Sequence, residues 1–203
     1  MKEVKSIDEN IGYIKASSDP LSADVGIVRG KRFTWIFDVG ADDEVCDYIN
    51  GIEGPKAVVI SHFHQDHMTN LSRIKYDELY VGDFTFTKTK SGTVVKDELV
   101  IDDGIKVHLK AIPSSHAKGS LIMEINEEYV FLGDSVYCTS KNGTAVYNAT
   151  LLNMEIRALK EIKAELFLLS HANIFVKRKE TLIRGLEYIY NRRKNNDPYI
   201  TVE

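Results

Sequence analysis

The stretch that decides the fold is KAVVISHFHQDH, at positions 56–67. Its beginning, KAVVI, is short and apolar, which is typical of a strand buried on both faces of a sheet. His62 and His64 are two residues apart, so in a loop at the strand end their side chains can face one ion. Asp66 and His67 follow where the chain bends into a helix, and they can face a neighbouring ion. Zinc favours imidazole and carboxylate ligands, and iron and manganese also accept them.

Three further residues with metal-binding side chains follow predicted strands elsewhere in the chain. They are His116 after Ile105–Ile112, Asp134 after Tyr129–Leu132 and His171 after Leu166–Leu169. Four separate strand ends therefore present metal-competent side chains, which is how a rigid scaffold gathers a site from distant parts of a sequence.

The rest of the pattern predicts two packed sheets with helices outside. Further strands are predicted over Ile11–Ala16, Val25–Arg29, Arg32–Val39 and Leu121–Ile125. A short helix is predicted after Gly40. Apolar residues at helical spacing predict two later helices. They are Leu152, Ile156, Leu159 and Ile162 in one, and Leu182, Leu186 and Ile189 in the other.

Composition narrows the class of protein. A length of 203 residues favours a single domain over 1–203, and 43% hydrophobic with 28% charged residues is typical of a globular chain. The net charge of −4 argues against nucleic-acid binding, and no segment is apolar enough to span a membrane. Two distant cysteines, Cys46 and Cys138, predict no disulfide and a cytoplasmic location. We therefore expect a small-molecule partner.

Taken together, the HxHxDH motif, the lone His116, the GDS turn at Asp134 and the final His171 resemble the metallo-β-lactamase superfamily over about residues 11–175. The resemblance implies an α+β fold, the four-layer αββα sandwich, with two divalent metal ions at one edge of the sheets. Zinc is the first choice of metal, and iron and manganese are the alternatives.

The resemblance also implies a role for each ligand. His62, His64 and His116 would hold the first ion, and Asp66, His67 and His171 the second, with Asp134 between them. Asp38, at the end of a strand, matches the buried aspartate that supports the ligand loop in this superfamily, although a plain turn residue is the alternative.

The chemistry that such a site supports is hydrolysis. Two ions can share a water and lower its pKa toward neutrality, while Asp66 orients the resulting hydroxide and carries a proton to the leaving group. Tyr137, three residues after Asp134, matches a tyrosine of acyl-homoserine lactonases whose hydroxyl can contact the carbonyl oxygen. A tyrosine that packs in the cleft wall is the alternative.

Three functions remain open at this point. The first is a hydrolase of a small ester, thioester or lactone. The second is a mono-iron oxidoreductase that resembles persulfide dioxygenases, which the full ligand set disfavours. The third is a small phosphodiesterase, which an acidic chain without an obvious phosphate clamp disfavours. We expect Phe84–Thr93 and Tyr137–Thr150 to be loops beside the cleft, and His108 to be exposed and inert.

Overall fold

The computed structural model describes residues 2–195 and 197–202. The helices are α1 (Asp43–Gly51), α2 (Gln65–Met68), α3 (Asp83–Thr89), α4 (Ala149–Glu161) and α5 (Lys179–Asn191), and a short 3-10 helix spans Thr69–Ser72. The strands are β1 (Val4–Ser6), β2 (Ile11–Ile14), β3 (Ser17–Ser18), β4 (Leu21–Ser22), β5 (Val25–Arg29), β6 (Thr34–Phe37), β7 (Lys56–Ile60), β8 (Glu78–Val81), β9 (Thr93–Val94), β10 (Glu98–Asp102), β11 (Lys106–Ile112), β12 (Ser120–Ile125), β13 (Tyr129–Gly133), β14 (Thr139–Lys141), β15 (Thr144–Asn148), β16 (Leu166–Leu169), β17 (Val176–Arg178) and β18 (Tyr199–Thr201).

The first large sheet is built around β7. Its strand order is β1-β2-β5-β6-β7-β8-β9, and β7 runs parallel to both β6 and β8. Every residue of β7 is buried. Lys56 at its start donates from its amine to the Ile52 carbonyl oxygen, and residues 57–60 are apolar because both faces of the strand are covered.

The second large sheet has the order β10-β11-β12-β13-β16-β17. Strands β10 to β13 follow one another as antiparallel neighbours, whereas β13 and β16 are parallel because α4 crosses between them. The carboxyl ends of β13 and β16 therefore meet at one edge of the sheet. Asp134 follows the first of these strands and His171 closely follows the second.

Three apolar cores separate four layers. One core lies between the two sheets, where the rings of Phe37 and Phe131 are 5.5 Å apart. A second core packs α1 on the outer face of the first sheet through Val45 and Ile49. The third packs α4 and α5 on the outer face of the second sheet. The architecture is therefore the predicted αββα sandwich, and none of its described helices is long and apolar enough to cross a membrane.

Two segments predicted as loops have regular structure. Most of Phe84–Thr93 belongs to α3, which buries Thr85. The sequence FTFT has strand propensity, so the helix forms against the local preference of its residues. The other segment, Tyr137–Thr150, contains the hairpin of β14 and β15, which β18 extends to three strands.

The prediction that His108 is exposed is also wrong. Only 16% of its side chain is exposed, and its ring nitrogens lie 3.0 Å from Glu98 Oε2 and 3.4 Å from Glu124 Oε2. Lys106 and Lys110 flank it in β11, but Glu124 on β12 is its direct cross-strand partner, and Glu98 on β10 reaches it diagonally from the position opposite Lys110. Pairing across strands, which the sequence does not display, covers this histidine.

Candidate metal centre

The seven predicted ligands come together at one edge of the two sheets. His62 and His64 lie in the loop after β7, and Asp66 and His67 lie in the single turn of α2. The other three come from the second sheet. They are His116 beyond β11, Asp134 directly after β13 and His171 two residues after β16.

The first cluster consists of His62, His64 and His116. Their ligand atoms all lie within 4.8 Å of one another. His116 Nε2 and His64 Nδ1 are 3.1 Å apart. Three imidazoles that converge in this way form the donor set of a three-histidine metal site.

The second cluster consists of Asp66, His67, Asp134 and His171, again with ligand atoms within 4.8 Å of one another. Asp134 lies between the two clusters. Its Oδ2 is 3.4 Å from His67 Nε2 in its own cluster and 3.5 Å from His116 Nε2 in the first. Asp134 is therefore close to a ring nitrogen of each cluster, and its role as a shared ligand stays a prediction.

A buried network around Ser61 fixes the tautomers of two histidines. Ser61 Oγ donates its only proton to Asp38 Oδ2 at 2.8 Å, so its contact of 2.9 Å with His62 Nδ1 requires that Nδ1 donate. His67 Nδ1 donates to the same Asp38 oxygen at 2.7 Å. In both rings the proton on Nδ1 is held from outside the site, and Nε2 is the atom turned toward the cluster.

His116 is oriented by the backbone. Its Nδ1 is 3.1 Å from the carbonyl oxygen of Cys138, which can only accept, so Nδ1 donates and Nε2 presents a lone pair to the site. Cys138 is a free cysteine, and it orients His116 through its main-chain carbonyl group rather than through its thiol.

His171 is held by a residue that the sequence analysis did not single out. Its backbone has a φ of +57°, and its N–H donates to Asp24 Oδ2 at 2.8 Å. Ser170 Oγ in turn accepts from the backbone N–H of Asp24 at 3.0 Å. A left-handed conformation is uncommon for histidine and persists where such contacts fix it. The available signal was an aspartate at the head of the buried strand β5.

Gly133 lets the end of β13 approach the ligand loop. Its φ is +54°, and a Cβ at this position would lie 2.7 Å from both Cβ and Oγ of Ser61. Any side chain would push Asp134 away from the loop that carries His62. The glycine of the GDS turn is therefore required by a close approach as well as by backbone conformation.

The electrostatics of the two clusters favour a cation. Burial, reinforced by the positive charge of His67, holds the pKa of His62 far below its usual value. Burial also opposes charge at His67, but Asp38 and Asp134 outweigh it and raise its pKa to about 10. A proton on His67 partly offsets the buried carboxylates, and a metal ion at Nε2 would replace that proton.

Unpaired buried atoms test whether metal ions fit. His62 Nε2, His67 Nε2 and Asp134 Oδ1 are buried, and none has a hydrogen-bond partner among the described residues. Buried polar atoms are normally paired, because leaving one unpaired costs about 1–3 kcal/mol. Divalent ions bound by the two clusters would provide the missing partners, so the donor set fits this group.

One side of the centre is open. His62, His67 and Asp134 are buried, whereas His64, Asp66, His116 and His171 are partly exposed. Beside His64 the ring of Phe63 packs edge-on against Phe84 at 4.9 Å. Water and a small substrate can therefore reach the centre from the side of the partly exposed ligands.

Tyr137 lies next to the centre, but its hydroxyl is already bonded. The hydroxyl donates to the carbonyl oxygen of Ser170 at 2.6 Å, and its ring lies 6.4 Å from that of His116. Burial, with the nearby Asp134 charge, raises the pKa of this phenol. In this structure Tyr137 therefore ties β13 to the turn that carries His171, and its proton is not directed at a substrate.

The fold is that of the metallo-β-lactamases. Among solved structures, a metallo-β-lactamase from Pontibacter korlensis superposes with a TM-score of 0.68 at 15% identity, over 95% of this chain and 100% of the other. A variant of the flavo di-iron protein from Thermotoga maritima gives 0.72 at 14% identity, over 97% of this chain and 63% of the other.

A third similar structure is the inverting sec-alkylsulfatase Pisa1 from Pseudomonas sp., with a TM-score of 0.69 at 12% identity over 94% of this chain and 42% of the other. No protein-family model matches the sequence, and no curated protein does. At these identities the similarity establishes the fold, and the reaction has to be argued from the site.

Proposed function

We propose that this chain is a metal-dependent hydrolase that cleaves a small ester, thioester or lactone, with two divalent ions held by the two clusters. One observation carries the proposal: two complete donor sets lie side by side, with Asp134 Oδ2 within 3.5 Å of a ring nitrogen in each. Paired metal sites that share a carboxylate suit hydrolytic chemistry.

When bound, the ions would lower the pKa of a water and polarise the carbonyl group of the substrate. In the overall reaction a water oxygen forms a bond to the acyl carbon, the bond to the leaving oxygen or sulfur breaks, and the leaving group gains a proton. Asp66 is the side chain placed to move that proton, because it is partly exposed beside His171. His171 Nε2 and Asp66 Oδ2 are 3.0 Å apart, which fixes the orientation of the carboxylate.

The access route also supports a small substrate. The partly exposed ligands face outward, and the rings of Phe63 and Tyr137 lie on either side of them. Lys88 and Lys118 lie over the ring of Phe84, which packs against Phe63, so the phosphodiesterase is disfavoured by the net charge of −4 alone. The second cluster has four donor side chains of its own, in addition to the three histidines of the first cluster. Seven donors suit two ions, which disfavours an oxidoreductase that uses one iron.

The first experiment is elemental analysis of the purified protein. We expect about two divalent ions per chain, zinc before iron or manganese, as a dinuclear centre requires. About one iron per chain without zinc would contradict the proposal and favour the oxidoreductase.

The second experiment measures turnover of a panel of esters, thioesters and lactones by the metal-loaded protein. Asp66→Ala and His116→Ala should abolish turnover, and His116→Ala should also reduce the metal content. His108→Ala is the matched control, because His108 binds glutamates on β10 and β12 and lies in neither cluster. Full turnover by His116→Ala at reduced metal content would overturn the scheme.

A further inference from the structure

A large apolar cleft lies between α5 and the second sheet. The cleft is open to solvent and has a volume of about 840 Å³, within the range of small-molecule binding sites. Leu182, Leu186 and Ile189 of α5 form one wall, and Leu169 and Tyr147 form the other. A cleft of this size and composition can enclose an aliphatic group that water would otherwise surround.

The cleft adjoins the candidate metal centre. His171 and Tyr137 both line it. His171 Nε2 bonds Asp66 in the second cluster, and the ring of Tyr137 packs against that of His116 in the first. A molecule whose chain lies in the cleft would therefore have one end beside the candidate ligands.

Gly185 widens the cleft at the cost of helix stability. It lies in the middle of α5 and lines the cleft, and a Cβ there would meet nothing within 4 Å. Glycine inside a helix is less favourable than alanine. No close contact and no positive φ requires glycine here, so the packing of the described residues does not explain it. Gly185 is exposed and lines the cleft, so the open space beside it is continuous with both the cleft and solvent.

The rim of the cleft is also apolar. Ile174 and Tyr188 line it, and each is 68% exposed. Such side chains at the mouth of an apolar cleft would gain by covering a bound chain, because burial removes their apolar surface from water.

We propose that this cleft binds a linear aliphatic acyl or alkyl substituent of the substrate, with the bond to be cleaved beside His171. The inference rests on the proposed function and specifies its substrate class. Because the cleft adjoins the candidate metal centre, its occupant is part of the substrate rather than a docked peptide or a second copy of the protein.

The test compares Gly185→Leu with the wild-type protein, because a leucine side chain would occupy the gap and leucine favours helix. The zinc-loaded proteins are assayed with p-nitrophenyl esters from acetyl to decanoyl. We expect kcat/KM to rise with chain length in the wild type. In Gly185→Leu the ratio of decanoyl to acetyl efficiency should fall by roughly tenfold or more, since each excluded methylene forfeits its burial. Gly185→Ala should give a smaller fall, with a Tm at or above that of the wild type.

Gly51→Leu is the matched control. Gly51 is the last residue of α1, in the opposite helical layer, and a Cβ there would likewise meet nothing within 4 Å. This variant should keep the chain-length profile of the wild type. An unchanged profile in Gly185→Leu, with normal folding, would overturn the inference.

A binding measurement separates this inference from the proposed function. Calorimetric titration with decanoic acid should give heat with the metal-free wild type and at least about tenfold weaker binding with Gly185→Leu. Binding without turnover of any ester would contradict the hydrolase and leave the cleft assigned. Turnover without chain-length dependence, and without decanoate binding, would contradict the cleft and leave the hydrolase.

Discussion

Asp38 Oδ2 and His67 Nδ1 are 2.7 Å apart, and both side chains are fully removed from solvent. Asp38 also accepts from the backbone N–H of Ser61 at 2.7 Å and from the Ser61 hydroxyl at 2.8 Å. One carboxylate thus orients the ring of His67 and, through Ser61, that of His62. The two rings belong to different clusters, so Asp38 supports both.

Asp38→Asn should weaken zinc binding by roughly 10–100-fold, the usual effect of losing an outer partner of a metal-bound histidine. An amide can accept at one end only, so its NH₂ group would face Ser61 or His67, which are both donors. Asparagine tolerates the φ of +60° at this position, so the backbone should be unchanged. Affinity is measured by competition with a chromophoric chelator.

Asp47→Asn is the control for this substitution, because Asp47 is an exposed residue of α1. It should bind zinc as the wild type does. Equal zinc affinity in Asp38→Asn, in a folded protein, would show that the ligand loop holds its histidines without this carboxylate.

Removal of the metal should lower the melting temperature. Ions that bind only the folded state stabilise it by about 4 kcal/mol at a thousandfold excess over Kd. For a chain of this length that corresponds to a Tm difference of roughly 8–16 °C between zinc-loaded and chelator-treated protein. Differential scanning calorimetry measures the difference. Asp134→Ala should lose most of it, since Asp134 serves both clusters, whereas His108→Ala should retain it. A chelator without effect on the wild-type Tm would contradict the metal centre.

Much of the fold could be predicted because local pattern and burial agree. In the strand Lys56–Ile60, residues 57–60 are apolar because both faces of the strand are covered, and the strand Leu166–Leu169 is apolar for the same reason and has the predicted bounds. The ligand positions could be predicted because each follows a strand at a shared sheet edge. Their roles as ligands stay predictions that the experiments above test.

The parts that could not be predicted depend on contacts between distant residues. Asp24 contacts His171 across 147 positions of sequence, and the aspartate before β5 does not by itself indicate which distant residue it contacts. The neighbours of His108 in sequence are lysines, which favour an exposed position, whereas its neighbours in space are Glu98 and Glu124. The helix α3 could not be predicted because its local residues prefer strands.

Tyr137→Phe should act on stability rather than on the chemical step. The substitution removes the hydrogen bond from the phenol to the Ser170 carbonyl oxygen, a loss of about 1 kcal/mol in the free energy of unfolding. Tyr147→Phe is the control, because it removes a similar bond, of 2.9 Å to Val136, without contacting the His171 turn. Equal losses in the two variants, measured by chemical denaturation, are expected. A hundredfold fall in kcat for Tyr137→Phe at wild-type stability would instead assign its hydroxyl to the substrate.

Glu155 should make stability depend on pH. It is fully buried in α4, neither carboxylate oxygen has a hydrogen-bond partner among the described residues, and burial raises its pKa well above the ordinary 4.5. Above pH 4.5 the unfolded chain loses this proton while the folded protein keeps it, so ionisation favours unfolding. The contribution of Glu155 to stability is therefore complete below that pH and is lost as pH rises toward the folded pKa.

Glu155→Gln removes this titration and keeps the shape of the side chain. The difference in unfolding free energy between variant and wild type should grow with pH above 4.5, by at most about 1.4 kcal/mol per unit, in favour of glutamine. Urea denaturation at a series of pH values, at fixed zinc, measures it. Glu161→Gln, at the exposed end of the same helix, is the control for the substitution itself. A difference for Glu155→Gln that does not change with pH would show that the buried carboxyl titrates as it does in the unfolded chain.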